Sequence, residues 1–168
     1  MSGCMREWVS GWVGEWVGEW VGELTNAVHY LHEHGIGHFD IKPENILVRW
    51  PDIGAAGRLN GATIALADMG LAARLGPKGE YRGMWRGTSS YMAPELAKLT
   101  SRGKLCHGTA CDVFSLGVCM LWLATCSFSR STDLCKKCGP VLGKLISKML
   151  VHAPEDRISM LELLSKMS

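Results

Sequence analysis

No stretch of this 168-residue chain is long and apolar enough to read as a membrane span. The best run, Val113 to Cys126, is too short and is broken by Ser115 and Gly117. No secretory leader is expected either: the first residues carry one basic side chain, Arg6, and their apolar residues are interrupted by Glu and Gly. Charge of one sign is scarce. Eighteen Lys and Arg oppose sixteen Asp and Glu, and a net +2 marks neither a nucleic-acid nor a membrane surface as a partner. Regular cysteine spacing is missing: seven cysteines, an odd number, argue for reduced thiols and so for a cytoplasmic or nuclear address. Lysine is lacking before Lys42, and no G-x-G-x-x-G precedes it. What remains is ordinary globular composition, 47% hydrophobic and 20% charged, in a length that suits one domain with a real core.

Residues 1–23 stand apart. From Glu7 they repeat a tetrapeptide: Glu7-Trp8-Val9-Ser10, Gly11-Trp12-Val13-Gly14, Glu15-Trp16-Val17-Gly18, Glu19-Trp20-Val21-Gly22, then Glu23. A period of four lies near the helical 3.6, so the tryptophans would trace a slowly drifting stripe. Against this, each interior glycine costs a helix about 1 kcal/mol relative to alanine. The segment reads as a low-complexity expansion, with a helix that docks on another protein as the alternative.

Residues 24–168 are more varied and mostly helical in pattern. Leu24, Ala27, Val28 and Leu31 share one helical face, stopped by Gly35. Ile46 to Val48 and Ala62 to Ala67 read as strands of one small hairpin, joined through the turn region Pro51 to Gly61. Val113 to Thr125 is apolar on nearly every face and predicts a buried central helix. Two amphipathic helices follow, one carrying Val141, Leu142, Leu145, Ile146, Met149 and Leu150, the other Ile158, Leu161 and Leu164.

Chemistry concentrates in His38-Phe39-Asp40-Ile41-Lys42-Pro43-Glu44-Asn45, a loop between a helix and a strand. Phosphoryl transfer needs positioning and charge compensation more than covalent help. A carboxylate (Asp40) can accept the proton of an attacking hydroxyl, and an ammonium two residues on (Lys42) can neutralise the moving phosphate. An amide oxygen (Asn45) and a second carboxylate (Asp68) are hard ligands suited to Mg²⁺.

This loop resembles the catalytic loop of eukaryotic-type protein kinases, H-R-D-x-K-x-x-N. Asp68-Met69-Gly70 resembles the family's D-F-G, and Ala93-Pro94-Glu95 matches A-P-E. Gly87-Thr88, Asp112-Val113-Phe114-Ser115-Leu116-Gly117 and Pro154-Glu155-Asp156-Arg157-Ile158 also match, all in family order. The resemblance implies a mainly α kinase C-lobe, a helical subdomain whose small β-hairpin carries the catalytic and magnesium loops. It implies ATP and Mg²⁺ as cofactors and a protein substrate, with Lys42 marking the serine/threonine type. Asp40 would be the base and Lys42 the phosphate contact; Asn45 and Asp68 would hold the metal; Leu47 would lie beneath the adenine. Thr88 would shape the pocket for the substrate residue. His38 would be a packed core residue, Glu95 and Arg157 a structural ion pair, and Asp112 the holder of the loop backbone.

The sequence departs from the family in four places. The phosphate clamp needs a glycine-rich loop, a strand lysine and a helix glutamate, and none is found. A small lobe alone takes roughly 40 residues, more than residues 1–37 can supply, so the N-lobe is expected to be absent. Phe39 stands where the family has an arginine that reads a phosphate on the activation segment, although Tyr81, Ser89 and Ser90 remain conceivable sites of modification. Met69 replaces phenylalanine. Ser127 to Gly139 is too short for the family's substrate-docking helix. A hydrophobic H-x-D residue, a non-Phe D-x-G and a DVFSLG helix together resemble the mitosis-inhibiting kinases of the wee type, which phosphorylate cyclin-dependent kinases. The expected function is transfer of the ATP γ-phosphate to protein Ser/Thr hydroxyls, weak or inactive in this chain by itself. A non-catalytic kinase-like scaffold is the alternative.

Two other clusters carry less. Cys135-Lys136-Lys137-Cys138 has the spacing of half a zinc site but no second matching pair, since Cys106 and Cys111 are wrongly spaced. Arg82 and Arg86 read as a solvated face.

Overall fold

A computed structural model of the protein describes residues 21–49, 63–100, 103–125, 127–128 and 132–167. Trp8, Trp12, Trp16 and Trp20, and the turn region 51–61, lie outside the described residues.

Helix α1 (residues 21–33) opens the described chain. Of the predicted face it buries Leu24 and Val28 and leaves Ala27 and Leu31 half-buried, and it begins upstream of Leu24, where Val21 is also buried. Val21, the last valine of the repeat, therefore packs in the core. Gly35, at φ +66°, takes the left-handed conformation that ends a helix, and its carbonyl accepts from Leu75 N–H at 2.8 Å.

Strand β1 (Ile36–Gly37) follows, then a 3₁₀ turn (Pro43–Asn45) and strand β2 (Ile46–Arg49). Strand β3 (Thr63–Leu66) leads into a second 3₁₀ turn (Met69–Leu71), β4 (Ala73–Arg74) and β5 (Glu80–Arg82). After helix α2 (Pro94–Ala97) come β6 (Leu105–His107) and four helices: α3 (Gly108–Thr125), α4 (Thr132–Lys137), α5 (Pro140–Met149) and α6 (Met160–Ser165).

The strands pair as three antiparallel ribbons among the described residues, β1 with β4, β2 with β3 and β5 with β6. One hairpin was expected. The other two ribbons consist of strands only two or three residues long, too brief for a period of two to show in sequence. In the expected hairpin, Ile46 pairs with Leu66 and Arg49 with Thr63. Ile46 and Val48 turn toward the core, which leaves Leu47 and Arg49 on the open face.

Helix α3 is the axis of the fold. It starts five residues before Val113, because Gly108-Thr109-Ala110-Cys111-Asp112 lacks an apolar run yet continues the same helix. By length and composition α3 could cross a membrane, but 67% of the helix is buried inside the protein, as in a core helix. It divides two apolar clusters. Val113, Leu116, Met120 and Leu121 face α1, α5 and α6, while Phe114, Val118 and Cys119 face Phe39, Tyr81, Tyr91 and Leu96. Each fully buried Leu, Val or Phe side chain contributes about 1.5–3 kcal/mol. Gly117 lets α5 pack close against α3: a Cβ there would sit 2.8 Å from Cβ of Met149 on α5. Helix α4 places six helical residues within Ser127 to Gly139. Helix α6 starts after Ile158, where Ser159 Oγ accepts from Glu162 N–H at 3.1 Å and caps its first turn.

Candidate active site

Asp112, in the first turns of α3, is fully buried and organises the loop before it. Its Oδ2 accepts from His38 N–H at 2.8 Å and its Oδ1 from Phe39 N–H at 2.7 Å. These bonds hold Phe39 at φ +65°, a conformation that is strained for a bulky residue. The activation segment closes against the same point. Gly87, at φ +103°, presses on the Phe39 carbonyl so closely that a Cβ on Gly87 would lie 2.1 Å from that oxygen. His38 is packed as expected, with Nε2 bonded to the Ala67 carbonyl (3.1 Å) and Nδ1 accepting from Asp40 N–H (3.2 Å), which fixes its tautomer.

This scaffold presents Asp40, whose carboxylate is almost completely buried. Oδ1 accepts from Thr88 N–H at 2.9 Å and from Thr88 Oγ1–H at 2.7 Å. Oδ2 accepts from Lys42 Nζ at 2.8 Å and from Asn45 Nδ2 at 3.2 Å. Burial pushes the Asp40 carboxyl up, but the bonds from Lys42 and Thr88, the Lys42 charge and the Asn45 amide together hold it below the usual value. The bond to Asp40 raises Lys42 in turn, against the opposing effect of burial. Lys42 Nζ also donates to Thr88 Oγ1 at 2.9 Å. Asp40, Lys42 and Thr88 thus form one closed hydrogen-bonded group, with the Thr88 hydroxyl placed where a base would meet an alcohol.

Asn45 and Asp68 lie at the same end of the β2–β3 ribbon. Ala67 N–H donates to the Asn45 carbonyl at 2.8 Å, so Asp68 follows immediately after that pairing. The Asn45 amide nitrogen is committed to the Asp40 carbonyl (2.8 Å) and carboxylate, which leaves its amide oxygen as the ligand-capable atom. Asp68 is exposed at φ +61°, with Oδ1 accepting from Gly70 N–H at 3.0 Å. Its charge reaches Lys42. One amide oxygen and one exposed carboxylate fit Mg²⁺, which keeps water and phosphate oxygens for its remaining positions. Leu47 points off the open face of β2 and is 57% exposed.

Glu95 and Arg157 form the expected ion pair. Arg157 Nη1 meets Glu95 Oε1 at 2.6 Å and Nη2 meets Oε2 at 3.1 Å. The remaining donors go to the carbonyls of Val151 (2.9 Å), Ala110 (2.7 Å) and His152 (3.2 Å). The guanidinium also lies 4.9 Å from the Phe114 ring centre.

Three features escaped the sequence reading. His32 of α1 reaches Asp112 Oδ2 at 2.9 Å, while its Nδ1 is buried without a hydrogen-bond partner in the structure. Its position six residues before His38, on the helix that leads into the loop, is a signal that could have been weighed. Arg86 is no solvated side chain: Nη1 donates to the carbonyls of Leu71 (2.9 Å) and Ala72 (3.2 Å), and its guanidinium sits 5.0 Å from the Tyr81 ring. Phe39 fills its arginine-type position by packing on Tyr81, with ring centres 4.6 Å apart. Tyr81 is itself buried and donates to the Met84 carbonyl at 3.0 Å, whereas Ser89 and Ser90 are exposed. Among the described residues no group of three or more His, Cys, Asp or Glu side chains converges as a metal cage.

Comparison with known proteins gives this arrangement a lineage. A family model described as a protein kinase domain matches residues 13–167. The chain is 31% identical over 156 residues to a serine/threonine-protein kinase, ppk34, of Schizosaccharomyces pombe, covering 84% of this chain and 40% of that protein. It is 36% identical over 118 residues to a calcium/calmodulin-dependent protein kinase, cmkA, of Emericella nidulans, covering 67% and 25%. It is also 36% identical over 110 residues to a probable serine/threonine-protein kinase, fhkC, of Dictyostelium discoideum, covering 66% and 16%. The chain therefore spans less than half the length of each of these relatives. With the catalytic loop, the D-x-G turn and the Glu95–Arg157 pair all in place, the chain belongs to the protein kinase family, in its eukaryotic serine/threonine branch.

Proposed function

We propose that this chain is the lower lobe of a serine/threonine protein kinase, in which Asp40 receives the proton of a protein Ser or Thr hydroxyl as the ATP γ-phosphoryl group transfers to it. The observation that supports this most is the shared placement of Asp40, Lys42 and Thr88. A buried carboxylate already accepts an alcohol proton at 2.7 Å, with an ammonium 2.8 Å from its other oxygen. An incoming hydroxyl takes the place of the Thr88 hydroxyl on Oδ1, and Lys42 moves its charge to the transferring phosphoryl oxygens. Asn45 and Asp68 would hold Mg²⁺, which supplies charge compensation for the phosphates. Leu47 would lie under the adenine. A protein partner on the Trp repeat and a cytoplasmic or nuclear address belong to the same proposal. The wee-type subgroup rests only on the H-x-D, D-x-G and DVFSLG residues, and none of the relatives named above carries such a name.

A second reading, a non-catalytic kinase-like module, is favoured by two observations. Residues 1–41 contain no lysine and no glycine-rich loop, and Leu47 is 57% exposed. Nucleotide affinity and phosphate positioning come largely from two lobes closing, so we infer weak ATP binding by this chain alone. Calorimetric titration of the full chain with Mg-ATP, paired with labelled-phosphate transfer to a generic protein substrate, separates the two. Transfer that vanishes in Asp40→Asn supports the enzyme. No binding at millimolar Mg-ATP and no transfer support the module.

A further inference from the structure

Two thiols outside the catalytic group meet inside the protein. Cys106 lies on β6, opposite Tyr81 of β5, and Cys111 lies in the first turn of α3. Their sulfurs are 3.8 Å apart. Cys111 Sγ also reaches Glu95 Oε1 at 3.4 Å, so the pair touches the Glu95–Arg157 fork. Cys111 is 1% exposed, whereas Cys106 keeps an 8% rim. We propose that Cys106 and Cys111 form a dithiol modification site, which a hydroperoxide converts to an intramolecular disulfide. The inference stands apart from phosphoryl transfer and holds whether or not the chain is active.

The geometry favours these two sulfurs over the other described thiols. Two sulfurs at van der Waals separation need only side-chain rotation and a small strand adjustment to reach the bonded distance of about 2.05 Å. The β5–β6 ribbon, three residues on each strand, is short enough to make that adjustment. Reactivity differs between the partners. The contact with Cys111 lowers Cys106 against burial and the charges of Glu95 and Asp112, and Cys106 is the more exposed of the two sulfurs, so Cys106 is the one placed to react first. The bond to Cys106, burial and the charges of Glu95 and Asp112 push Cys111 up, so it keeps its proton and acts second. Elsewhere, burial raises Cys119 to about 12 and also raises Cys135 and Cys138.

The chemistry balances in two steps. The Cys106 thiolate attacks the terminal oxygen of the hydroperoxide; an S–O bond forms, the O–O bond breaks, and the released alkoxide or hydroxide takes up a proton. The Cys111 sulfur then attacks the Cys106 sulfur; the S–S bond forms, the S–O bond breaks, and hydroxide leaves with the Cys111 proton as water. Two thiols are oxidised and one peroxide is reduced by two electrons. The product staples β6 to α3 and removes the thiol hydrogen from Glu95.

The test uses the intact chain treated with hydrogen peroxide, digested without reductant and mapped by mass spectrometry. The expected result is a linked pair of peptides containing Cys106 and Cys111, lighter by two hydrogens, abolished by a dithiol reductant and formed before any Cys135–Cys138 link. Cys111→Ser should stop at a sulfenic acid on Cys106, trapped by a carbon nucleophile. The proposal is overturned if the unsubstituted chain, still helical by circular dichroism, leaves both thiols unmodified under excess peroxide. It is also overturned if Cys106 stops at a sulfenic or sulfinic acid there, or if Cys135 and Cys138 link first.

Discussion

Replacing Arg157 by lysine keeps the charge and removes the fork, and the structure sets the size of the effect. All five guanidinium N–H groups are used: two on Glu95, and one each on the carbonyls of Val151, Ala110 and His152. A lysine ammonium offers three donors from a single point and cannot span this set. The His152 carbonyl belongs to an exposed residue and can turn to water, so one or two acceptors are stranded. At about 1–3 kcal/mol for each unpaired buried group, Arg157→Lys should cost about 1–6 kcal/mol. Arg157→Ala also leaves Glu95 without its counter-charge and should cost at least about 3–5 kcal/mol, a large share of the roughly 5–15 kcal/mol that holds a domain folded. At about 2–4 °C per kcal/mol for a chain of this size, the lysine variant should melt roughly 2–24 °C lower. Calorimetric melting and urea titration of the full chain measure it. Glu95→Gln combined with Arg157→Lys should lose less than the sum of the single changes, because the two side chains share one network. An Arg157→Lys variant within about 1 kcal/mol of the parent would refute the reasoning, since the fork would then carry no energy beyond its charge.

Other expectations follow from the same geometry. Gly87→Ala drives a methyl into the Phe39 carbonyl at a positive φ, and should destabilise by more than the roughly 1 kcal/mol that an unstrained Gly→Ala change gains, read by urea unfolding. Asp112→Ala strands the N–H groups of His38 and Phe39 and should destabilise by about 2–4 kcal/mol, with faster amide hydrogen exchange at those two residues. The Asp40–Lys42 pair gives a pH window. Asp40 lies below its ordinary 3.8, so its contribution is present above that pH and fades as pH falls through the folded value. Lys42 lies above its ordinary 10.5, so its contribution is present below that pH and fades as pH rises through the folded value. The stability-against-pH curve of Asp40→Asn should lack the acid limb that this group contributes.

Legibility in the sequence tracked the length of each signal. The catalytic loop, the D-x-G turn and the Glu95–Arg157 partners were readable because each depends on fixed residue types in a fixed order. The buried helix α3 was readable from its apolar run, but its first turn was not, since Gly108 to Asp112 is helical for tertiary reasons. Ribbons of two or three residues leave no periodicity to find. Arg86 was misjudged because its partners are backbone carbonyls fifteen and fourteen residues away, which no local pattern announces. The direct bond from Thr88 to Asp40 spans 48 residues and was visible only as a pocket residue in the family pattern.

The meeting of Phe39 and Gly87 limits what mutation can do here. Where two side chains touch, a change on one can be answered by a change on the other, and a lineage can drift through compensated pairs. At this junction a main-chain oxygen faces a residue with no side chain. Neither party has anything left to trim, so the contact offers no route for gradual repair, and variation in this protein must be routed around it.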